Sequence, residues 1–429
     1  MDFFLLSWLS SSLYLWYDKI MKILGITAEY NPFHNGHKYH IEKSRELTGA
    51  DCVVAVMSGN FTQRGEAAIL DKWERSKLAV ENGADLVIEL PFVYACNRAQ
   101  AFAEGAVDIL KGIGVQYISF GSECGQLSVL YALAEGLIND ADKITAAREI
   151  FMQKGTSFAK SGELAVEKII GKDSAKLLLE PNNILAIEYL KRIIFWKEKG
   201  YEIEPVTMRR HGSGYFEKNE MTGFAGASSI RKLKKREEFE KYVPENVACA
   251  LDEEGTTWSA YQCSLDANER LFQLVRSEIV KSSPEALAQI YHMGEGLENK
   301  LKKEIVAAKN LDELVTAIVS KRYTEAAVRR LLTYVLMGIR EYEPTRAVYA
   351  RVLAANEIGR KLLGGLRKQE GHIPLITNIN KDAADNEEVQ ACLKYDMLAS
   401  DMYNLIYDRD MYNFSDKVSK PYMAGIEDK

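Results

Sequence analysis

Between residues 22 and 138 the chain alternates short apolar runs with longer amphipathic ones, and few architectures can bury such a pattern. The apolar runs are residues 22–27, 52–57 (Cys-Val-Val-Ala-Val-Met), 85–90 (Asp-Leu-Val-Ile-Glu-Leu) and 116–120. Helical spacing fills the stretches between and after them, over 39–47, 72–82, 98–111 and 127–138. Strands that are apolar at successive positions are covered on both faces, and strands joined through helices run parallel. The pattern therefore predicts an α/β fold built on a doubly wound parallel sheet. Ligands of such sheets bind beyond the carboxyl ends of the strands, where strand order reverses. Three strand-end segments, 27–37, Ser58-Gly59-Asn60 and Gly121-Ser122, are expected to converge on one crevice.

The first of these segments carries the densest chemistry. It reads Thr27-Ala28-Glu29-Tyr30-Asn31-Pro32-Phe33-His34-Asn35-Gly36-His37, holds two of the chain's six histidines, and is followed by His40. Asn31-Pro32 favours an extended or turn conformation before the helix. A helix N-terminus offers unpaired N–H groups and partial positive charge to an anion. Gly36, without a Cβ, is expected to let a base or phosphate approach the backbone. Imidazoles three residues apart can donate hydrogen bonds to charge that builds on a phosphate. The segment thus reads as a loop for nucleotide phosphates. A zinc pair and a purely structural role are the competing readings, but no cysteine lies nearby, helical zinc pairs favour His-x-x-x-His, and paired histidines in a glycine turn are costly to keep for packing alone. Neither a P-loop nor G-x-G-x-x-G occurs in the chain.

Composition excludes several classes. The chain has 429 residues, 47% hydrophobic and 27% charged, which suits two or three globular domains. A net charge of −6 does not advertise nucleic-acid binding by the chain as a whole. The six cysteines are scattered without a Cys-x-x-Cys pair, which points to a reducing, cytoplasmic setting with neither a disulfide framework nor a zinc knuckle. Residues 3–17 are uncharged and mostly apolar, yet short for a membrane span and without a basic n-region or cleavage site. We expect residues 1–20 to be an upstream, poorly ordered extension, with Met21 as the natural start.

Residues 140–200 read as helical with a break at Glu180-Pro181-Asn182-Asn183, and 203–208 as a further strand that leads into Arg209-Arg210-His211-Gly212. Beyond Glu237 the periodicity is mainly helical, with 373–376 as a lone strand. The expected organisation is therefore an extension over 1–20, a catalytic domain over 21–236 and a mainly helical domain over 237–429.

Several strings in the chain are specific enough to indicate a family. His34-Asn35-Gly36-His37 with Ser228-Ser229-Ile230-Arg231 resembles the nucleotidylyltransferase superfamily, in which a His-x-Gly-His loop is paired with a later Ser-Ser-x-x-Arg-type helix start. Glu29-Tyr30-Asn31-Pro32-Phe33-His34, Val56-Met57-Ser58-Gly59-Asn60-Phe61, Gln63-Arg64-Gly65-Glu66, Phe120-Gly121-Ser122-Glu123, Pro181-Asn182-Asn183-Ile184-Leu185 and Lys321-Arg322-Tyr323-Thr324 resemble the tRNA(Met) cytidine acetate ligase family. The likeness runs from Met21 nearly to the C-terminus and implies a Rossmann-like nucleotidylyltransferase core followed by a mainly helical region. It implies a ligase that forms acetyl-adenylate from ATP and acetate, with magnesium expected alongside ATP. The acetyl group would then pass to the exocyclic amine of the wobble cytidine of elongator tRNA(Met). It implies ATP contacts at Thr27, Ala28, Glu29, Tyr30, Asn31, Pro32, Phe33, His34, Asn35, Gly36, His37, Lys38, Tyr39 and His40, with further contacts at Gly121, Asn182, Arg210, His211, Ser229 and Arg231. His34 and His37 are the expected catalytic pair. His211 stands where the family usually has an aliphatic residue, which implies a backbone contact there.

The remaining candidates concern the RNA. Arg64, Lys72 and Arg75 follow the second strand's loop and suit phosphate or tRNA, although 72–75 also reads as the start of a solvated helix. Residues 321–368 carry eleven Lys or Arg against four acids, an excess of seven positive charges inside an acidic chain. Within that stretch Lys321, Arg322, Arg329 and Arg330 are the expected tRNA contacts; an amphipathic pair with a solvated basic face is the alternative. Ser228 and Ser229 suit helix N-caps, and Asn182 suits either a cap or a ligand. Glu123 and Asp85 are candidate magnesium ligands, with no metal-site pattern around them. No protein partner and no membrane attachment is expected. Two other functions remain open on the residues: a small-molecule adenylyltransferase that makes a dinucleotide cofactor, and a non-catalytic tRNA-binding module.

Overall fold

The computed structural model describes residues 21–210, 223–252, 260–340, 349–382 and 386–426; the expectations for residues 1–20 and for His211 lie outside them. The strands are β1 (Ile23–Ala28), β2 (Cys52–Ser58), β3 (Leu86–Leu90), β4 (Tyr117–Ser122), β5 (Glu204–Arg209), β6 (Ala350–Ala355), β7 (Leu375–Ile376) and β8 (Tyr422–Met423). They form one sheet in the order β5-β4-β1-β2-β3-β6-β7, with β8 also on β6. β1 to β5 are mutually parallel, as the alternation predicts.

The helices that matter below are α1 (Asn35–Thr48), α2 (Lys72–Glu81), α3 (Ala99–Ile113), α4 (Leu127–Asn139), α5 (Pro181–Glu198), α6 (Ala260–Lys281), α7 (Glu325–Met337), α8 (Glu357–Leu366) and α9 (Glu387–Ile406). Their starts follow local chemistry. Asp71 caps α2 by accepting the Glu74 N–H at 2.8 Å, Pro181 occupies the first turn of α5, and Thr324 caps α7.

All seven residues of β2 are buried, and its side chains alternate between two cores. Cys52, Val54 and Val56 join the face packed by α3, α5 and the C-terminal helices, while Val53, Ala55 and Met57 join the face that holds Ile41 of α1 and Leu78 of α2. A strand buried on both faces needs no polar alternation, which is why it reads as a continuous apolar run.

The sheet does not stop at the expected boundary near residue 236. β6 pairs antiparallel with β3, Leu86 opposite Ala355, and β7 and β8 each pair parallel with β6. The strand expected alone at 373–376 is β7, seated on that added edge. The C-terminal region thus contributes three strands to the sheet as well as a helical layer.

Candidate active site

β1 and β4 are neighbours, yet the chain proceeds from β1 outward through β2 and β3 on one side and from β4 to β5 on the other. Their carboxyl ends bound the point where strand order reverses, the general place for a ligand on such a sheet. The loop after β1 is held there by many bonds. Thr27 Oγ1 donates to Tyr189 Oη of α5 at 2.6 Å. Asn31 Oδ1 accepts the Ile69 N–H at 2.8 Å, and its carbonyl accepts Arg231 Nη1 at 2.7 Å. Tyr30 and Phe33 are buried with ring centroids 4.8 Å apart. Asn35 Nδ2 reaches the carbonyls of Gly223 and Lys241, at 3.2 and 3.1 Å, and pins the first residue of α1 to the segment that follows β5.

His34 is the N-cap of α1, with extended backbone. Its imidazole stacks on that of His37 with centroids 3.6 Å apart and planes 19° from parallel. His37 Nδ1 accepts the His34 N–H at 3.3 Å, so in the neutral ring the proton sits on Nε2 and makes that atom a donor. Both ring nitrogens of His34 are buried without a hydrogen-bond partner among the described residues. A buried polar side chain left unsatisfied is costly, and a bound ligand is one way to satisfy it. Burial, and then the charge of Arg210, lower the His34 imidazole to about 3. Burial, followed by the charges of His34, Arg210 and His40, holds His37 well below its ordinary value. Both rings are therefore neutral donors at pH 7. A zinc pair does not fit two rings stacked face to face, and among the described residues no three His, Cys, Asp or Glu side chains gather around a metal position.

The two site glycines make room for side chains of the site. A Cβ on Gly36 would lie 2.9 Å from Cε1 of His34, and one on Gly121 would lie 2.7 Å from Cγ of Arg210. Both leave room for a side chain of the site itself; at Gly36 the sequence suggested room for base or phosphate. Arg210 follows β5, and its Nη1 donates to Asn182 Oδ1 at 3.0 Å. Asn182 Nδ2 in turn donates to Glu123 Oε1 at 2.6 Å, while the Asn183 N–H donates to Glu123 Oε2 at 2.8 Å. Glu123 thus occupies the N-terminus of α5, and the chain Glu123–Asn182–Arg210 holds a guanidinium within electrostatic reach of the histidines. Asn182 positions Arg210.

Other expected contacts are placed as follows. His40 Nε2 shares a hydrogen bond with Ser119 Oγ at 3.0 Å, which is itself 2.7 Å from Ser44 Oγ. That nitrogen ties α1 to β4, and burial together with Arg210 lowers the ring to about 4. Glu29 accepts the Gln63 N–H at 2.8 Å, and burial raises its carboxyl above the usual range. Lys38 and Tyr39 are exposed on α1. Ser228 and Ser229 are exposed inside the short helix Ala227–Ile230, whose N-cap is Gly226, so the expected serine cap is not formed. Arg231 spends its guanidinium on the Asn31 carbonyl and on Glu66, at 3.2 Å. Glu123 and Asp85, weighed as magnesium ligands, are both engaged: Asp85 accepts from Arg45 at 2.6 Å and from the Val53 N–H at 2.7 Å.

Two of the expected tRNA contacts need correction. Lys72 is fully buried, its Nζ 2.8 Å from Glu89 and 2.9 Å from Asp416, and Arg351 completes the cluster at 2.7 Å from Asp416. Arg75 is equally buried and donates to the carbonyls of Leu70, Glu29, Ser58 and Gly59. Neither can meet an RNA phosphate: Arg75 braces the loops beyond β1 and β2, and Lys72 ties β3 to the C-terminal segment through Glu89 and Asp416. Arg329 is paired with Asp312 and Glu325, and Arg322 with Glu295. Arg64 and Lys321 are exposed. Residues the sequence did not single out include Ser119, Ser44 and Tyr189, which position the loop from the sheet and from α5; as an ordinary serine or tyrosine in a core segment, none carried a signal.

A switch-point crevice that presents a His-x-Gly-His pair to an arginine defines the class, a nucleotide-handling α/β enzyme. Residues 21–417 match the HIGH Nucleotidyl Transferase family. The chain is 41% identical over 399 residues to the tRNA(Met) cytidine acetate ligase of Thermoanaerobacter sp. (strain X514), covering 90% of this chain and 96% of that one. It is 34% identical over 420 residues to the enzyme of that name in Clostridium kluyveri, covering 94% and 98%. Crystal structures of Thermotoga maritima TmcAL superpose with TM-scores of 0.82 (apo) and 0.81 (bound with alpha-thio ATP), at 27% identity; each covers 94% of this chain and 99% of the other. The chain belongs to the tRNA(Met) cytidine acetate ligase family within the HIGH nucleotidyl transferases.

Proposed function

We propose that this chain acetylates the wobble cytidine of elongator tRNA(Met) at the expense of ATP, by way of acetyl-adenylate. The observation that carries the reading is the match, over 96% of its length, to a relative named for that reaction. A structural neighbour bound to an ATP analogue supports a nucleotide at this site. In the first step a carboxylate oxygen of acetate attacks the α-phosphorus, and the bond to pyrophosphate breaks. In the second the cytidine amine attacks the acetyl carbon, the bond to AMP breaks, and a proton leaves the amine.

This chain's residues suit the first step by position and charge. The unpartnered nitrogens of His34, the Nε2 donor of His37 and the N-terminus of α1 face the phosphates, and Arg210 supplies the cation. Because both rings are neutral, they stabilise developing negative charge as hydrogen-bond donors and give up no proton. Magnesium bound to ATP would add further charge stabilisation at the phosphates. All six cysteines are free, and among the described residues no helix is long and apolar enough to cross a membrane; both facts suit a cytoplasmic enzyme.

The test is to incubate the pure protein with ATP, labelled acetate and host tRNA and then to digest the RNA to nucleosides. Labelled N4-acetylcytidine is the expected product. Its absence with magnesium present would reject the reading.

A further inference from the structure

The turn at residues 62–66 joins the nucleotide loop to α7. On one side the Gln63 N–H donates to the Glu29 carboxylate at 2.8 Å. On the other the Gln63 carbonyl accepts Arg330 Nη1 at 3.0 Å, and the Gly65 carbonyl accepts Thr333 Oγ1 at 2.9 Å. Gly65, with φ +76°, lies flat on α7: a Cβ there would meet the Arg330 backbone nitrogen at 2.5 Å. Gln63 Nε2 is buried in this junction with no hydrogen-bond partner among the described residues.

Two arginines flank it. Arg64, at the tip of the turn, and Arg98, the N-cap of α3, are exposed, and their guanidiniums make no hydrogen bond or ion pair among the described residues. Tyr334, one turn along α7 from Arg330, donates its hydroxyl to the Cys96 carbonyl, two residues before Arg98. Tyr334 also packs on Tyr291 at 5.4 Å, and the His292 ring lies 3.9 Å from that of Tyr291. The segment that carries His292 is strained at two side-chain-bearing residues, His292 and Glu295, with φ of +63° and +56°. It is braced by Arg322 on Glu295 at 2.6 Å. Burial, and then the charges of Arg98 and Arg330, lower the His292 imidazole, which keeps it a neutral ring.

We infer that Arg64, Arg98 and Arg330, with the Tyr291–His292 pair between them, form the docking site for the single-stranded stretch of the RNA substrate. The inference rests on the proposed function and narrows it. Arg322 and Arg329 have carboxylate partners; Arg64 and Arg98 are left for a polyanion. The three guanidiniums take backbone phosphates, and the exposed His292 ring, backed by Tyr291, stacks on a base. The turn that carries Arg64 contacts Glu29 directly, so RNA docked here lies beside the loop that handles ATP.

The experiment uses the full chain and purified elongator tRNA(Met). The double variant Arg64→Ala/Arg98→Ala removes two exposed side chains without a partner among the described residues, and its unfolding midpoint checks that the fold survives. We expect tRNA affinity to fall about ten-fold or more at moderate salt, and the slope of log affinity against log salt to fall by roughly 1.5, the share of two phosphates. His292→Ala is expected to weaken binding about ten-fold with the salt slope unchanged, because stacking releases no counterions. Acetate-dependent ATP–pyrophosphate exchange reports the nucleotide site separately. Wild-type binding with an unaltered affinity and slope in the double variant overturns the docking site. A wild-type protein that exchanges pyrophosphate but binds no tRNA rejects the RNA reading itself, and the docking site with it.

Discussion

His37 Nδ1 accepts the backbone N–H of His34 while the two rings stack 3.6 Å apart, so each histidine fixes the other's orientation. The relationship makes His37 an Nε2 donor and leaves both nitrogens of His34 for a ligand. Replacement of either ring by alanine should therefore cost acetyl-adenylate formation about 10²- to 10³-fold, the usual loss when one preorganised donor to developing charge is removed. Acetate-dependent pyrophosphate exchange measures it. A loss below ten-fold for both variants would show that the phosphates are held by other groups.

The same burial makes stability pH-dependent in a definite direction. His34 and His40 titrate at about 3 and about 4, and His37 well below its ordinary value of 6.5. Above pH 6.5 these rings are neutral whether the chain is folded or not. As pH falls below 6.5 the unfolded chain takes up protons that the folded one refuses, so stability declines by up to about 1.4 kcal/mol per pH unit for each ring until the native values are reached. Urea midpoints between pH 7.5 and 4.5 should fall for the wild type and fall less steeply for His34→Gln. Parallel curves would refute the buried-neutral assignment.

The parts of this architecture legible in the sequence are those set by neighbours along the chain. β1 to β4 and the His-x-Gly-His turn are such parts, because strand, turn and helix start follow one another within a few residues. What depends on distant partners was not legible. The Lys72-Trp73-Glu74-Arg75 run looks like a solvated helix start, yet Lys72 meets Glu89 and Asp416, 17 and 344 residues away in the chain. β6, Ala-Arg-Val-Leu-Ala-Ala, has the composition of a helix, and only the open edge of β3 makes it a strand. Gly36 and Gly121 were legible as positions that need space, but what fills that space is a side chain brought by the fold.

Lys72 offers a prediction that separates structure from RNA contact. Its ammonium is buried against two carboxylates, and its removal leaves charge uncompensated in the core, which typically costs about 3–5 kcal/mol. Lys72→Met should lower the denaturation midpoint accordingly while leaving the KM for tRNA of the folded fraction within about two-fold. A stable variant with a raised tRNA KM would return Lys72 to the RNA interface.

Gly121 tests the arginine over the site. Gly121 and Met208 are partners across β4 and β5, and the Arg210 side chain lies back over the glycine, where a Cβ would come within 2.7 Å of it. Gly121→Val must push Arg210 away from Asn182 and from the histidines, without touching the His34–His37 stack. Two consequences separate displacement of the cation from general damage. The KM for ATP should rise to the level of Arg210→Ala, and the double variant should be no worse than either single one, because both remove the same charge. The His34 and His37 imidazoles should also titrate higher by NMR in both variants, since one of the charges that lower them is withdrawn while burial remains. Additive losses in the double variant, with unshifted histidines, would mean that Gly121 acts on the nucleotide by some route other than Arg210.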